Sequence, residues 1–186
     1  MSDSQLTKKA MAQAMKELMK QKPMDKITIG EITERCFMSR KSFYYHFKDK
    51  YDLVNWIYYT EFLSEIQNNV DGWGLMEHIC QYFYENRVFY CNALQVQAQN
   101  SFSEYFADIL HPIISGYLDD IIENNENKDF FVSFFTDATK LAITRWLIED
   151  AKTPPSKFVQ LMKEAMAGVG LKIGQDMSES NCEIRG

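Results

Sequence analysis

The chain has 186 residues, of which 46% are apolar and 14% aromatic, with 20 Lys and Arg against 26 Asp and Glu. That length and apolar content allow a sizeable core and argue against whole-chain disorder. No apolar run approaches the roughly 20 residues needed to cross a bilayer, so no membrane partner is expected. The net charge of −6 hides an uneven distribution. Residues 1–50 hold 11 Lys and Arg against 6 Asp and Glu, whereas the remainder holds 9 against 20. Between Tyr51 and Asn127 the only Lys or Arg is Arg87. A basic end on an acidic body suits a polyanionic partner engaged at one end only. The lysine-studded N-terminus lacks the apolar block of a signal peptide, and the expected location is cytoplasmic.

With 8 Gly, 4 Pro and apolar residues recurring every three or four positions, the chain reads as all-α. The first helix is predicted over about Ser4 to Gln21, with Leu6, Ala10, Ala14 and Leu18 on one stripe, and Pro23 ends it. Thr28 then opens a short helix to about Cys36, and Glu31 is placed to complete a capping box. After a turn at Phe37–Met38, Ser39 is the natural N-cap of a third helix to about Phe47. Asp49 caps a longer fourth helix reaching Ile66. A fifth helix is expected from Leu75 to Leu94, and Ser101 with Glu104 opens the next, which Pro112 should kink or restart. Two long helices close the fold, about Asp129–Ala151 and Pro155–Gln175. Proline suits the first position of the last one.

Cysteines at 36, 80, 91 and 182 form no C-x-x-C pair and read as free thiols. Glu77, His78 and Cys80 are close in sequence, but such spacing points side chains to different sides of a helix. Neither a metal site nor a cofactor is expected. The chain also lacks a nucleophile–base motif, an H-E-x-x-H pair and a glycine-rich phosphate loop, so no catalytic residue is assigned.

Two short capped helices around a tight turn make a helix-turn-helix. On the third helix Phe43 and Phe47 fall together and define a buried side, with Ile29, Ile32, Cys36 and Met38 around them. Lys41, Ser42 and Tyr45 then point outward, flanked by Arg40, Tyr44 and His46. Cations and hydroxyls on one exposed helix face suit the edges of bases in the major groove and the flanking phosphates. The stretch ITIGEITERCFMSRKSFYYHFKDKYDLV, Ile27 to Val54, resembles the DNA-binding module of the TetR family of bacterial regulators. The resemblance is carried by Thr28, the Tyr44–His46–Phe47 block, Lys50 and Leu53. It implies double-stranded operator DNA as partner, phosphate contacts from Thr28, Tyr44, His46 and Lys50, and groove-facing roles for Ser39, Arg40, Lys41, Ser42 and Tyr45. Two departures stand out. Phe37 occupies the turn where the family usually has glycine, and Thr33 stands where a small alanine commonly packs. The wording FYYHFKDKYDL and the later TRWL also resemble the Firmicutes branch that includes regulators of dihydroxyacetone kinase operons.

The expected domains are a helix-turn-helix head over 1–50, a larger helical bundle over 51–177 for effector binding and dimerisation, and a tail over 178–186. On the last helix Phe158, Leu161, Met162, Ala165, Met166 and Val169 form an apolar stripe. The helix before it is apolar on more than one face, with Phe131 and Phe135 among the candidates for a two-fold homodimer interface. Of 26 aromatic residues, 21 lie beyond residue 50. Trp73, Tyr82, Phe83, Tyr105, Phe106 and Tyr117 are compatible with an effector cavity and equally with core filling. The partner could be a small molecule or a protein co-regulator. The resulting reading is a dimeric DNA-binding regulator, a repressor by family habit. The alternative is a helical co-regulator that binds a ligand or protein and whose head does not bind DNA.

Overall fold

The computed structural model describes residues 3–62, 72–96, 101–119 and 127–168, and every regular element among them is helical. In chain order these are α1 (Asp3–Met19), a 3-10 turn (Met24–Lys26), α2 (Ile29–Arg35), α3 (Arg40–His46) and α4 (Lys50–Glu61). Then come α5 (Gly72–Glu85), α6 (Arg87–Leu94), α7 (Phe102–Asp119), α8 (Lys128–Ile148) and α9 over 155–168. The fifth expected helix is in fact two, divided at Asn86, with no Gly or Pro there to announce the break. Pro112 lies inside α7 rather than between two helices. A proline removes a single i→i−4 hydrogen bond, and the rest of the helix tolerates that loss. The tail from 178 onward and Val169 lie outside the described residues.

The described residues group into two compact units. The first holds 3–62, 86–96 and 101–105; the second holds 72–85, 106–119 and 127–168. This differs from the division expected at residue 50, because α4 and α6 go with the head. Leu53, Val54, Ile57 and Tyr58 of α4 are buried, and the Asn92 Nδ2 of α6 donates to the Met19 carbonyl of α1 at 2.9 Å. Tyr58 anchors a ring cluster with Phe62, Tyr90, Phe102 and Tyr105, at centroid distances of 5.2–6.3 Å.

At seven residues each, α2 and α3 are too short to persist alone, so caps and packing must hold them. The Thr28 hydroxyl accepts from the Glu31 amide, and the Glu31 carboxylate accepts from the Thr28 amide at 2.9 Å, completing the expected capping box. Ser39 caps α3 by accepting from the Ser42 amide at 3.1 Å, and Asp49 caps α4 through the amides of Tyr51 and Asp52, both at 2.8 Å. Beneath them α1 contributes Met11, Met15, Leu18 and Met19. Leu6, expected on that stripe, is 53% exposed, because steps of four residues drift about 40° each and carry the row off the buried side. Arg35 of α2 pairs with Glu17 of α1 at 2.9 Å, and Lys16 of α1 with Glu61 of α4.

Two features of the head were not foreseen. Phe37 has φ 56, and the amides of Phe37 and Met38 donate to the carbonyls of Glu34 and Thr33 at 3.1 and 2.8 Å. That bonding is a Schellman motif with Phe37 at its left-handed position, so the turn keeps the geometry a glycine would have given it. The Phe37 ring is 97% exposed. Thr33 is accommodated by donating its hydroxyl back to the Ile29 and Gly30 carbonyls, each at 3.0 Å. The second feature is Lys50, whose ammonium donates to the carbonyls of Met24, Asp25 and Ile27, each at 2.9 Å. All three of its N–H groups are thus spent on tying the start of α4 to the 3-10 turn before α2. Burial pushes the Lys50 ammonium pKa down, while Asp25 and Asp49 oppose that shift.

In the second unit Phe106, Leu110, Ile114 and Leu118 of α7 form a fully buried row. Phe83 of α5 meets Phe106 at 5.1 Å. Val132, Phe135, Ile143, Trp146 and Leu147 line the buried side of α8. Trp146 stacks on Phe158 of α9 at 4.7 Å, and its Nε1 donates to the Thr153 carbonyl at 2.8 Å, fixing the turn between α8 and α9.

Three outcomes are expected. Phe37→Gly should raise the stability of the fold by about 1 kcal/mol, since left-handed strain of ~1–2 kcal/mol is relieved against ~0.5–1 kcal/mol of added chain entropy. Thermal unfolding would show a higher Tm. Lys50→Met should destabilise the protein by ~2–3 kcal/mol in urea unfolding, because three carbonyls lose a charged donor. Glu31 is held down from its ordinary 4.5 to about 2, first by the hydrogen bond from Lys22 and then by the Thr28 amide and hydroxyl. A depressed carboxylate contributes stability above its unfolded value, so this part of the head's stability should fade between about pH 4.5 and 2. Glu31→Gln should flatten the pH dependence in that window, as followed by circular dichroism.

Candidate nucleic-acid interface

The position of α3 is set from behind. Phe43 and Phe47 are 0% and 2% exposed, with ring centroids 5.7 Å apart, and Phe47 meets Trp56 of α4 at 5.7 Å. With that side buried, Arg40, Lys41, Tyr44 and Tyr45 are exposed, the two tyrosines at 60% and 82%. Ser42 and His46 are half-buried, and His46 packs edge-on against the Tyr45 ring at 4.9 Å. Thr28 and Ser39 are exposed at the caps of α2 and α3. Sequence reasoning therefore sorted the aromatic residues of this segment correctly into inward phenylalanines and outward tyrosines.

The Arg40 guanidinium lies over Gly30, where a Cβ would come within 2.7 Å of it. Gly30 thus leaves the room that lets the arginine bridge from α3 to α2. Together with Thr28, Glu31, Thr33, Glu34 and Met38, these two residues line a shallow groove on the head. The Glu31 charge in that groove is offset by its ion pair with Lys22. Lys50 has a structural role that its residue type did not announce. A phosphate contact was expected of it, and its ammonium donates to the carbonyls of Met24, Asp25 and Ile27. Lys48, exposed two residues beyond α3, is a further cation beside this face that the sequence analysis did not single out.

The expected effector residues do not come together. Trp73 and Tyr117 meet edge-on at 5.2 Å and line a cavity of about 420 Å³ with Gly72, Met76, Pro112, Ile113, Ile114 and Gly116. Phe83 and Phe106 are fully buried against each other as core. Tyr105 belongs to the first unit's ring cluster, and Tyr82 is half-buried away from the cavity lining. Two of the residues lining the cavity are glycines. At Gly116 a Cβ would meet nothing within 4 Å, and Gly72 lets α5 approach the Ile113 side chain of α7. A search of the sequence for side chains passes over lining residues that have none.

The expected dimer residues are also redistributed. Phe135 and Met166 are each 6% exposed and belong to one core cluster with Ile114, Leu118 and Val132, against which Phe131 packs. Phe158 is engaged by Trp146. Met162 is half-buried, whereas Leu161 and Ala165 are exposed. The exposed apolar groups of α8 are instead Phe130, Phe134, Leu141 and Ile148. Each Phe–Phe pair straddles the boundary of the buried side, so one ring enters the core and its neighbour faces outward, and periodicity alone chose the inward members.

Residues 12–57 match the profile described as bacterial regulatory proteins, tetR family, and residues 73–168 match that of a transcriptional regulator C-terminal region. The HTH-type dhaKLM operon transcriptional activator DhaS of Lactococcus lactis subsp. lactis is 30% identical over 93 residues, or 48% of this chain and 50% of that protein. The chain thus spans about half the length of the curated relative it matches. The solved structure of the dihydroxyacetone kinase operon activator DhaS superposes with a TM-score of 0.60 at 20% identity, covering 87% of this chain and 96% of that one. NalD, the secondary repressor of the MexAB-OprM multidrug efflux pump in Pseudomonas aeruginosa, gives 0.57 at 15% identity, covering 89% and 96%. At those identities the two structures speak for the fold. A profile match over more than half of the sequence, a second one across the head, and an α3 anchored by phenylalanines with its cations outward lead to one assignment: the chain belongs to the TetR family of bacterial transcriptional regulators, with α2 and α3 as its DNA-binding helix-turn-helix.

Proposed function

We propose that the protein binds a near-palindromic operator as a homodimer and that a small molecule in the α5–α7 cavity controls this binding. The observation that carries the reading is the exposed face of α3, where Arg40, Lys41 and Tyr45 stand opposite the buried Phe43 and Phe47. Ser39, Arg40, Lys41, Ser42 and Tyr45 read bases or line the groove. Thr28, Tyr44 and His46 donate to phosphates. Lys50 acts indirectly, by holding the turn before α2 in place. We read the protein as a repressor acting in the cytoplasm; the relative DhaS is named an activator, so the sign of control needs its own assay.

The cavity volume of about 420 Å³ falls in the range of small-molecule sites, and its lining carries no charged side chain. That chemistry favours an uncharged, largely apolar effector, with the Tyr117 hydroxyl as its polar handle. Phe37 lends no support to the alternative of a co-regulator whose head does not bind DNA, because the turn around it keeps its hydrogen bonds.

Affinity for operator DNA should fall steeply with log salt, with a slope of about −0.9 per neutralised phosphate. Lys41→Ala should relax preference at one or two base pairs by ~1–3 kcal/mol, whereas Tyr44→Phe should weaken all sequences alike. Uniform loss from both substitutions, measured by fluorescence anisotropy on a panel of sites, contradicts the division of roles. Gly116→Leu should stabilise the fold by about 1 kcal/mol through helix propensity and abolish effector response without altering DNA affinity. Retained response in the variant places the effector elsewhere.

A further inference from the structure

Phe37 stands where the fold itself has least use for it. Its backbone is left-handed, at φ 56, a region that a β-carbon disfavours, and its ring is 97% exposed. Neither conformation nor burial rewards this side chain in the free protein. An exposed phenylalanine alone is ordinary, but one also held in a strained conformation points to a contact made elsewhere. Its position narrows what that contact is. The amides of Phe37 and Met38 donate to the carbonyls of Glu34 and Thr33 at 3.1 and 2.8 Å, which fixes the backbone carrying the ring. Ser39, Arg40 and Lys41 follow within four positions and are exposed with it. In a helix-turn-helix the start of the second helix meets the base edges, so a ring set just before it reaches the same groove.

We propose that Phe37 is a specificity-determining residue of the head, its ring packing on the C5 methyl group of a thymine beside the base pairs met by Arg40 and Lys41. The proposal rests on the DNA-binding reading above and deepens it. The ring carries no hydrogen-bonding atom, and among the groups that distinguish base pairs in the major groove the thymine methyl is the apolar one. Arg40, Lys41 and Ser42 bring hydrogen-bonding groups to that groove, so Phe37 adds a preference for T·A of a kind they do not express. Deoxyribose is the other apolar surface in reach, and contact with it carries no sequence information.

The test compares the full-length wild type with Phe37→Gly and Phe37→Asn. Both replacements accept the left-handed backbone, glycine with a looser turn and asparagine with a stiffer one, so a loss common to both is the loss of the ring. Circular dichroism checks that each variant folds. Sites selected from random duplex DNA should show a required thymine at one position of each half-site for the wild type and any base there for both variants. Replacing that thymine by deoxyuracil removes only the methyl group. By fluorescence anisotropy it should weaken the wild type about three- to fivefold, the effect of one buried methyl, and leave both variants unaffected. The slope of log affinity against log salt should be the same in all three proteins, because no phosphate contact is lost. Variants that keep the wild-type affinity and base preference overturn the proposal. So does a wild type indifferent to deoxyuracil, or variants as sensitive to it as the wild type, which place the ring on the sugar or off the DNA. A wild type that selects no sequence at all removes the DNA-binding reading, and the role of Phe37 with it.

Discussion

Burial of Phe43 and Phe47 is the constraint from which the functional surface follows. A helix of seven residues has no stability of its own in water, so α3 exists only because those two rings are held by the core around them, Trp56 included. Once they are inside, helical geometry leaves Arg40, Lys41, Tyr44 and Tyr45 nowhere but outside. The binding face is in this sense a by-product of core packing. The same logic explains why so much of the head is spent on caps and clamps. Thr28 with Glu31, Ser39, Asp49 and the Lys50 ammonium each fix one end of a short element that packing alone would leave loose.

The head was legible because its signals are local. Caps sit at fixed offsets from the helices they open, and a five-residue aromatic block on one short helix can only be sorted one way once Phe43 and Phe47 are seen to share a side. What stayed hidden depends on groups distant in sequence or on backbone atoms. Lys50 spends its donors on carbonyls 23 to 26 positions earlier, and nothing in the residue type distinguishes that use from a phosphate contact. Phe37 was visible as a departure, but only the backbone shows that it adopts the conformation of the glycine it replaces.

The second unit was harder for a related reason. Aromatic residues there serve as core, cavity wall and outer surface alike, and composition cannot separate these uses. The cavity is lined by Gly72 and Gly116 as well as by Trp73 and Tyr117. On α8, adjacent phenylalanines 130 and 131, and 134 and 135, are assigned to opposite sides by a rotation of 100°, less than the width of an apolar face. The break at Asn86 also carries no proline or glycine to mark it.

The central claim is that the outward face of α3, held from within by its phenylalanines, is where DNA binds. Amide hydrogen exchange of the full chain with and without an operator fragment tests it most directly. Added protection should concentrate at residues 28–31 and 39–46, with the Phe43 region already slow in the free protein. Protection confined to the acidic second unit, or none in α3 under conditions where the fragment is bound, would contradict the account.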